Sequence, residues 1–193
     1  MPSTTLYLVR HAHARWLPDE GRALSPEGHA GAEHVAALLR HAPIVAVYAS
    51  RARRAIQTVA PRATARGLPV TTSDDLRERR LSAAPVDDHG AAVAWCWAHP
   101  EAALPGGESN MAAQQRGVAA IIALTRCHTG ETIVVGTHGN LLALILQHWE
   151  PAVDDAFWSR LTMPDVYALT LGTGAPARTQ RRWDAGERFM PYA

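Results

Sequence analysis

Imidazole, guanidinium and carboxylate side chains recur just beyond the apolar runs of this chain. Arg10 and His11 follow the run 5–9, and Ser50, Arg51, Arg53 and Arg54 follow 44–48. Asp74, Asp75, Arg77 and Glu78 follow 68–72, and Thr137, His138, Gly139 and Asn140 follow 132–136. A guanidinium fork matches phosphate oxygens bidentately. A neutral imidazole is a competent nucleophile toward phosphorus, and a carboxylic acid can protonate a departing alkoxide. If these residues meet, the chemistry is phosphoryl transfer that needs neither a metal nor a lysine.

The elements that would bring them together are legible in the pattern. Runs 5–9, 44–48, 68–72, 132–136 and 166–171 read as buried strands, with a further strand at 180–183. Ser25-Pro26-Glu27 has the hydroxyl, proline and carboxylate of a helix start. That helix runs to about residue 41. Others are predicted at 51–66, 87–99, 109–127 and 140–149. Alternating strands and helices predict an α/β fold, a three-layer α/β/α sandwich with a mostly parallel sheet and helices on both faces. In such sheets sites form beyond the carboxyl ends of the strands, where the reactive residues stand. Residues 1–193 read as one domain, with a substrate-cap insert at about 82–108.

Composition narrows the chemistry further. The 193 residues are 47% apolar and 19% charged with a net charge of +1, which describes a globular protein with a sizeable core. All 19 basic residues are Arg and none is Lys. A P-loop lysine, a Schiff-base lysine and a lysine general base are thereby excluded. A balanced charge gives no basic field for nucleic acid. Cys96 and Cys127 fit neither a disulfide framework nor a zinc motif, and neither begins a Cys-x5-Arg thiol-phosphatase loop. They read as buried or spectator thiols of a reducing compartment. With no signal-peptide pattern and no apolar run of membrane-spanning length, the expected location is cytoplasmic.

Five segments, in order, resemble the motifs of the histidine phosphatase superfamily in its phosphoglycerate-mutase-like branch. They are Leu8-Val9-Arg10-His11-Ala12, the stretch from Ser50 to Arg54-Ala55-Ile56-Gln57-Thr58, Leu76-Arg77-Glu78-Arg79, Pro105-Gly106-Gly107-Glu108-Ser109 and Thr137-His138-Gly139. The resemblance implies that His11 is a nucleophile that becomes phosphohistidine and that Glu78 is the proton donor. It implies that Arg10, Arg54 and His138 bind the phosphoryl oxygens, with His138 counted among the catalytic groups. It implies no metal and no other cofactor. Three positions depart from the pattern. The family's glycine after the nucleophile is Ala12, and its common Thr or Ser and Asn are Ala14 and Leu17. Asn140, or amides at the start of its helix, would have to replace those donors.

Each residue also has a plainer reading. His29, His34, His41, His89, His128 and His148 are expected to be surface or core residues, and His99 leans that way. Arg51 and Arg53 are expected on a helix surface, and Arg178, Arg181 and Arg182 on a solvated strand. Glu108 and Ser109 are expected to cap the long helix. His11-Ala12-His13 also matches the metal-binding H-x-H of amidohydrolases, but that barrel takes about 250 residues. A non-catalytic phosphate-binding protein is a further alternative. Within the family, no Lys or Arg lies between Arg80 and Arg116 to hold a second phosphate. This favours a phosphomonoesterase acting on a small phosphorylated metabolite over a cofactor-dependent mutase. Substrate identity and oligomeric state are left open.

Overall fold

A computed structural model describes residues 2–15, 21–172 and 174–183. Its sheet contains β1 (Ser3–Arg10), β2 (Ile44–Ala49), β3 (Val70–Thr72), β4 (Thr132–Thr137), β5 (Asp165–Gly172) and β6 (Ala175–Arg181), in the order β3-β2-β4-β1-β5-β6. The pairs β2–β3, β2–β4 and β1–β4 are parallel, and β5 runs antiparallel to both β1 and β6. The expected mostly parallel α/β sheet is therefore present, with one reversed strand.

Side chains alternate between the two faces, as a pleated strand requires. Leu6 and Leu8 of β1 and Ile133 and Val135 of β4 join one core cluster; Val9 and Val134 join the other. The first face is covered by α4 (Asn110–Cys127) and α5 (Gly139–Trp149), with α6 (Asp155–Ser159) beside α5. The second is covered by α1 (Pro26–Leu38) and α2 (Arg53–Ala65). Every residue of α5 from Gly139 to Ile145 and on to Leu146 is buried. Burying each large apolar side chain there contributes about 1.5–3 kcal/mol.

Local chemistry explains the helix starts. Ser25 accepts from the Gly28 N–H ahead of Pro26, and Ser109 accepts from Ala112 N–H ahead of α4. Asp88 does the same for α3 (His89–Ala98), the helix of the 82–108 segment. Glu108 forms a two-pronged pair with Arg116, at 2.9 and 2.7 Å. Burial pushes the Glu108 carboxyl up, but the bond and charge of Arg116, with Arg77, outweigh it and hold the group below its ordinary value.

Three expectations are corrected. The third strand starts at Val70, because Gly67 (φ 65°) and Leu68 close α2 with bonds to Thr64 and Ala63 carbonyls. The last strand spans Ala175–Arg181, not 180–183. It is an exposed edge with Pro176 and no apolar alternation, so it carries little signal. Arg181 is not simply solvated: its Nε and Nη2 grip both oxygens of the fully buried Asp165, at 2.9 and 2.8 Å. Asp154 caps α6, which the pattern had not suggested. No helix among the described residues is long and apolar enough to cross a membrane.

Candidate active site

The register of β1 on β4 places Arg10 directly beside Thr137. The chain leaves both strands at the same level, so His11 and His138 emerge side by side. Their ring centroids are 5.2 Å apart in an edge-on arrangement. The His11 N–H donates to Thr137 O, and the Ser50 N–H donates to Gly136 O, both at 2.9 Å. Three strand ends are thereby laced together beneath one cavity of about 110 Å³. His11, Arg10, Arg54, Glu78, His138 and Asn140 all line it.

Hydrogen bonds assign the histidine tautomers. His11 Nδ1 lies 2.8 Å from the Ala12 carbonyl, which only accepts, so Nδ1 carries the proton and Nε2 keeps its lone pair. Burial depresses the basicity of His11 well below that of a free imidazole, and the charges of Arg54, Arg10 and Arg22 add to this; the Ala12 carbonyl opposes it. His138 is lowered likewise, first by burial, then by His11 and the arginines. Both rings are neutral in this setting. His11 therefore presents an unprotonated nitrogen to a pocket ringed with guanidinium groups.

Arg10 and Arg54 are held from behind. Arg10 Nη1 donates to Leu161 O at 2.7 Å. Its guanidinium lies so close to Gly139 that a Cβ there would stand 3.0 Å from Cζ, which is why the residue after His138 is glycine. Thr58 accepts the Ala12 N–H at 2.9 Å and donates to Arg54 O at 2.7 Å. Gln57 accepts from Leu24 N–H. Sequence reasoning gave Ser50, Gln57 and Thr58 no separate task; Gln57 and Thr58 tie the loop after β1 to α2, and the Ser50 hydroxyl lies 2.7 Å from Nε2 of His138.

The Glu78 carboxylate, from the segment after β3, caps the first turn of α5. Its Oε1 accepts from the N–H of Leu141 (2.9 Å) and Arg79 (2.8 Å), and Oε2 from Asn140 N–H (3.0 Å). A carboxylate has about four lone-pair sites, so the open one is on Oε2. Asn140 therefore has its backbone donor engaged, and its Oδ1 accepts from Trp97 Nε1 at 3.2 Å. Its remaining donor group is Nδ2. The helix-start amides of Asn140 and Leu141, expected to replace the phosphate donors lost at Ala14 and Leu17, belong to Glu78. Trp97 instead latches α3 to the edge of the pocket.

A family model of the histidine phosphatase superfamily (branch 1) matches residues 6–181. The chain belongs to this superfamily. It is similar in fold to mycobacterial glucosyl-3-phosphoglycerate phosphatase, with a TM-score of 0.76, 21% identity, and 93% of this chain and 98% of that one covered. Bacillus stearothermophilus YhfR gives 0.79 and 24% over 92% and 96% of the two chains. Phosphoglycerate mutase from Bacillus anthracis gives 0.74 and 14% over 93% and 92%. No curated protein sequence matches the chain. Membership makes the protein a phosphatase- or mutase-type enzyme.

Where the superfamily's Arg-His motif goes on with glycine, this chain has a fully buried Ala12 that packs on Leu24 and Ala32. Ala14 bridges to Leu24, and Leu17 lies outside the described residues. His13, the second histidine of the H-x-H pattern, is turned away from the pocket to the Ser25 hydroxyl, 2.8 Å from Nδ1. With an open sheet in place of a barrel, the amidohydrolase reading has no support. Arg51 and Arg53 are exposed, as expected. Cys96 is buried and Cys127 exposed, both free thiols. Two cations that the sequence did not nominate, Arg22 and Arg79, also line the cavity.

Proposed function

We propose that the protein is a metal-independent phosphomonoesterase that hydrolyses a small phosphorylated metabolite through a phosphohistidine on His11. The observation that carries this reading is the His11 Nδ1–Ala12 O bond, which leaves Nε2 unprotonated in a pocket lined by Arg10 and Arg54. The Nε2 lone pair attacks phosphorus as the ester P–O bond breaks. Glu78 gives the leaving oxygen a proton from Oε2. Arg10, Arg54 and His138 surround the phosphoryl oxygens, with the His138 N–H shared between Ser50 and the substrate. Water then attacks the phosphohistidine, Glu78 takes back a proton, and inorganic phosphate leaves. Asn140 Nδ2 is the remaining phosphate donor in this scheme.

Hydrolysis is favoured over mutase chemistry by the 82–108 segment, which we propose as the substrate cap of a single domain. It carries Asp87, Asp88, Glu101 and Glu108 and no Lys or Arg. A bis-phosphorylated intermediate would find no closing basic lid there. Similarity to a sugar-phosphoglycerate phosphatase and to a phosphoglycerate mutase supports a small phosphate ester as substrate. The test is a panel of phosphate monoesters, with 3-phosphoglycerate incubated with and without 2,3-bisphosphoglycerate. Phosphate release without the primer is expected. Primer-dependent isomerisation outrunning hydrolysis would make the enzyme a mutase and leave His11 as nucleophile.

A further inference from the structure

We infer that Arg181, which does not line the catalytic cavity, keeps Arg10 available to the phosphoryl group by occupying the Asp165 carboxylate, which would otherwise compete for it. Arg181 is thus a positioning residue that acts through Asp165. This rests on the hydrolase reading, in which Arg10 holds phosphoryl oxygens, and adds to it a residue from the edge strand β6.

The register of the sheet sets the problem. β5 runs antiparallel to β1 and places Asp165 opposite Arg10. Side chains of opposed residues stand on the same face, with Cβ atoms about 4.5–5.5 Å apart. Arg10 is 3% exposed and Asp165 fully buried. Opposite charges so placed attract each other far more strongly than they would in water. An ion pair between them would draw Arg10 from the phosphoryl group and cancel the charge that binds it.

Arg181 and two amides prevent this by filling the carboxylate. Oδ1 of Asp165 accepts from Arg181 Nε at 2.9 Å and from the Val166 N–H at 3.0 Å. Oδ2 accepts from Arg181 Nη2 at 2.8 Å and from the Thr162 N–H at 3.0 Å. A carboxylate has about four lone-pair sites, so all are in use. Arg10 Nη1 donates instead to the neutral carbonyl of Leu161, at 2.7 Å. Its guanidinium lines the cavity with His11 and Arg54. The Leu161 carbonyl and the Thr162 N–H belong to one planar peptide group. The bond from that N–H to Asp165 therefore also fixes the acceptor on which Arg10 is seated. Arg181 reaches Asp165 from the sheet edge with 40% of its side chain exposed, so replacing it leaves the apolar core intact.

The experiment removes first the guard and then the competitor. Arg181→Gln takes away the cation and leaves the carboxylate. Its KM for p-nitrophenyl phosphate and its inhibition constant for inorganic phosphate should rise about 2- to 30-fold, the range for substitutions that act through intervening residues. Asp165→Asn added to Arg181→Gln takes away the competing charge, and the asparagine carbonyl can still accept from the Thr162 N–H. The double variant should return both constants to near the wild-type values. Arg181→Lys keeps a cation but fills fewer sites, so its constants should fall in between. It carries the same comparison, with and without Asp165→Asn, if Arg181→Gln does not fold. Constants unchanged in Arg181→Gln, with the wild type active, would overturn the inference and leave the hydrolase standing. A double variant that binds phosphate as weakly as Arg181→Gln, or more weakly, would also overturn it, because a purely structural clip gains nothing from losing its second half. No phosphate release from p-nitrophenyl phosphate by the wild type would instead remove the hydrolase reading, and the inference with it.

Discussion

Arg54 Nη2 stands 3.2 Å from Nδ1 of His138. A guanidinium only donates, so that ring nitrogen must accept, and the ring proton lies on Nε2, pointing at Ser50 Oγ 2.7 Å away. The same cation that orients His138 also keeps it from taking a second proton. The pocket therefore combines strong positive charge from arginine with two neutral imidazoles, the state that a histidine nucleophile requires.

That arrangement sets a pH dependence. Folded His11 and His138 titrate well below 6.5, near which their unfolded counterparts titrate. Below pH 6.5 the unfolded chain binds protons that the folded chain refuses, so stability is full above this pH and declines as the pH falls toward the folded values. Each histidine contributes a slope of about 1.4 kcal/mol per pH unit in that window. Melting curves from pH 7.5 to 5 should show a shallower decline for His138→Gln than for the wild type. Identical declines would mean that His138 is protonated in the fold.

Thr58, on α2, is fully buried against the loop after β1. Thr58→Val keeps the shape but leaves the Ala12 N–H without an acceptor, a loss of about 1–3 kcal/mol. Denaturant unfolding should report this. Because Ala12 O also holds the His11 proton, kcat should fall while the protein stays folded.

Much of this was readable in the residues themselves. Arg10, His11 and His138 directly follow apolar strands, so their convergence needed only a parallel sheet. Arg54 and Glu78 were legible from their neighbours in the motifs. Ser50 and Thr58 acquire their tasks only when β2 and α2 pack against β4 and the loop after β1, contacts far apart in sequence. Arg79 reads as one of several surface charges in Arg77-Glu78-Arg79-Arg80 until burial separates it from them. The edge strand β6 lacks apolar alternation because it buries almost nothing. The pairing of Arg181 with Asp165 depends on the register of β5 and β6, which no local pattern encodes.

Glu78 lines the cavity and has one open lone-pair site, on Oε2. Glu78→Gln should damage an alkyl phosphate, whose leaving oxygen needs a proton, by about 10²–10⁴-fold in kcat. An activated aryl phosphate should suffer far less. Equal losses on both would reduce Glu78 to a cap on the first turn of α5.

Arg10, Arg54 and His138 meet the charge of the phosphoryl group in the proposed chemistry. Prolonged dialysis against a chelator should therefore leave the rate unchanged. Loss of activity restored by zinc or manganese would require a different mechanism.

In the proposed chemistry His11 Nε2 carries the phosphoryl group during turnover. A rapid quench with ³²P-labelled substrate tests it most directly. The label should be stable in alkali, lost in acid and located on residue 11, and it should be missing from an inactive His11→Ala variant. An alkali-labile, acid-stable label, or full activity in His11→Ala, would contradict it.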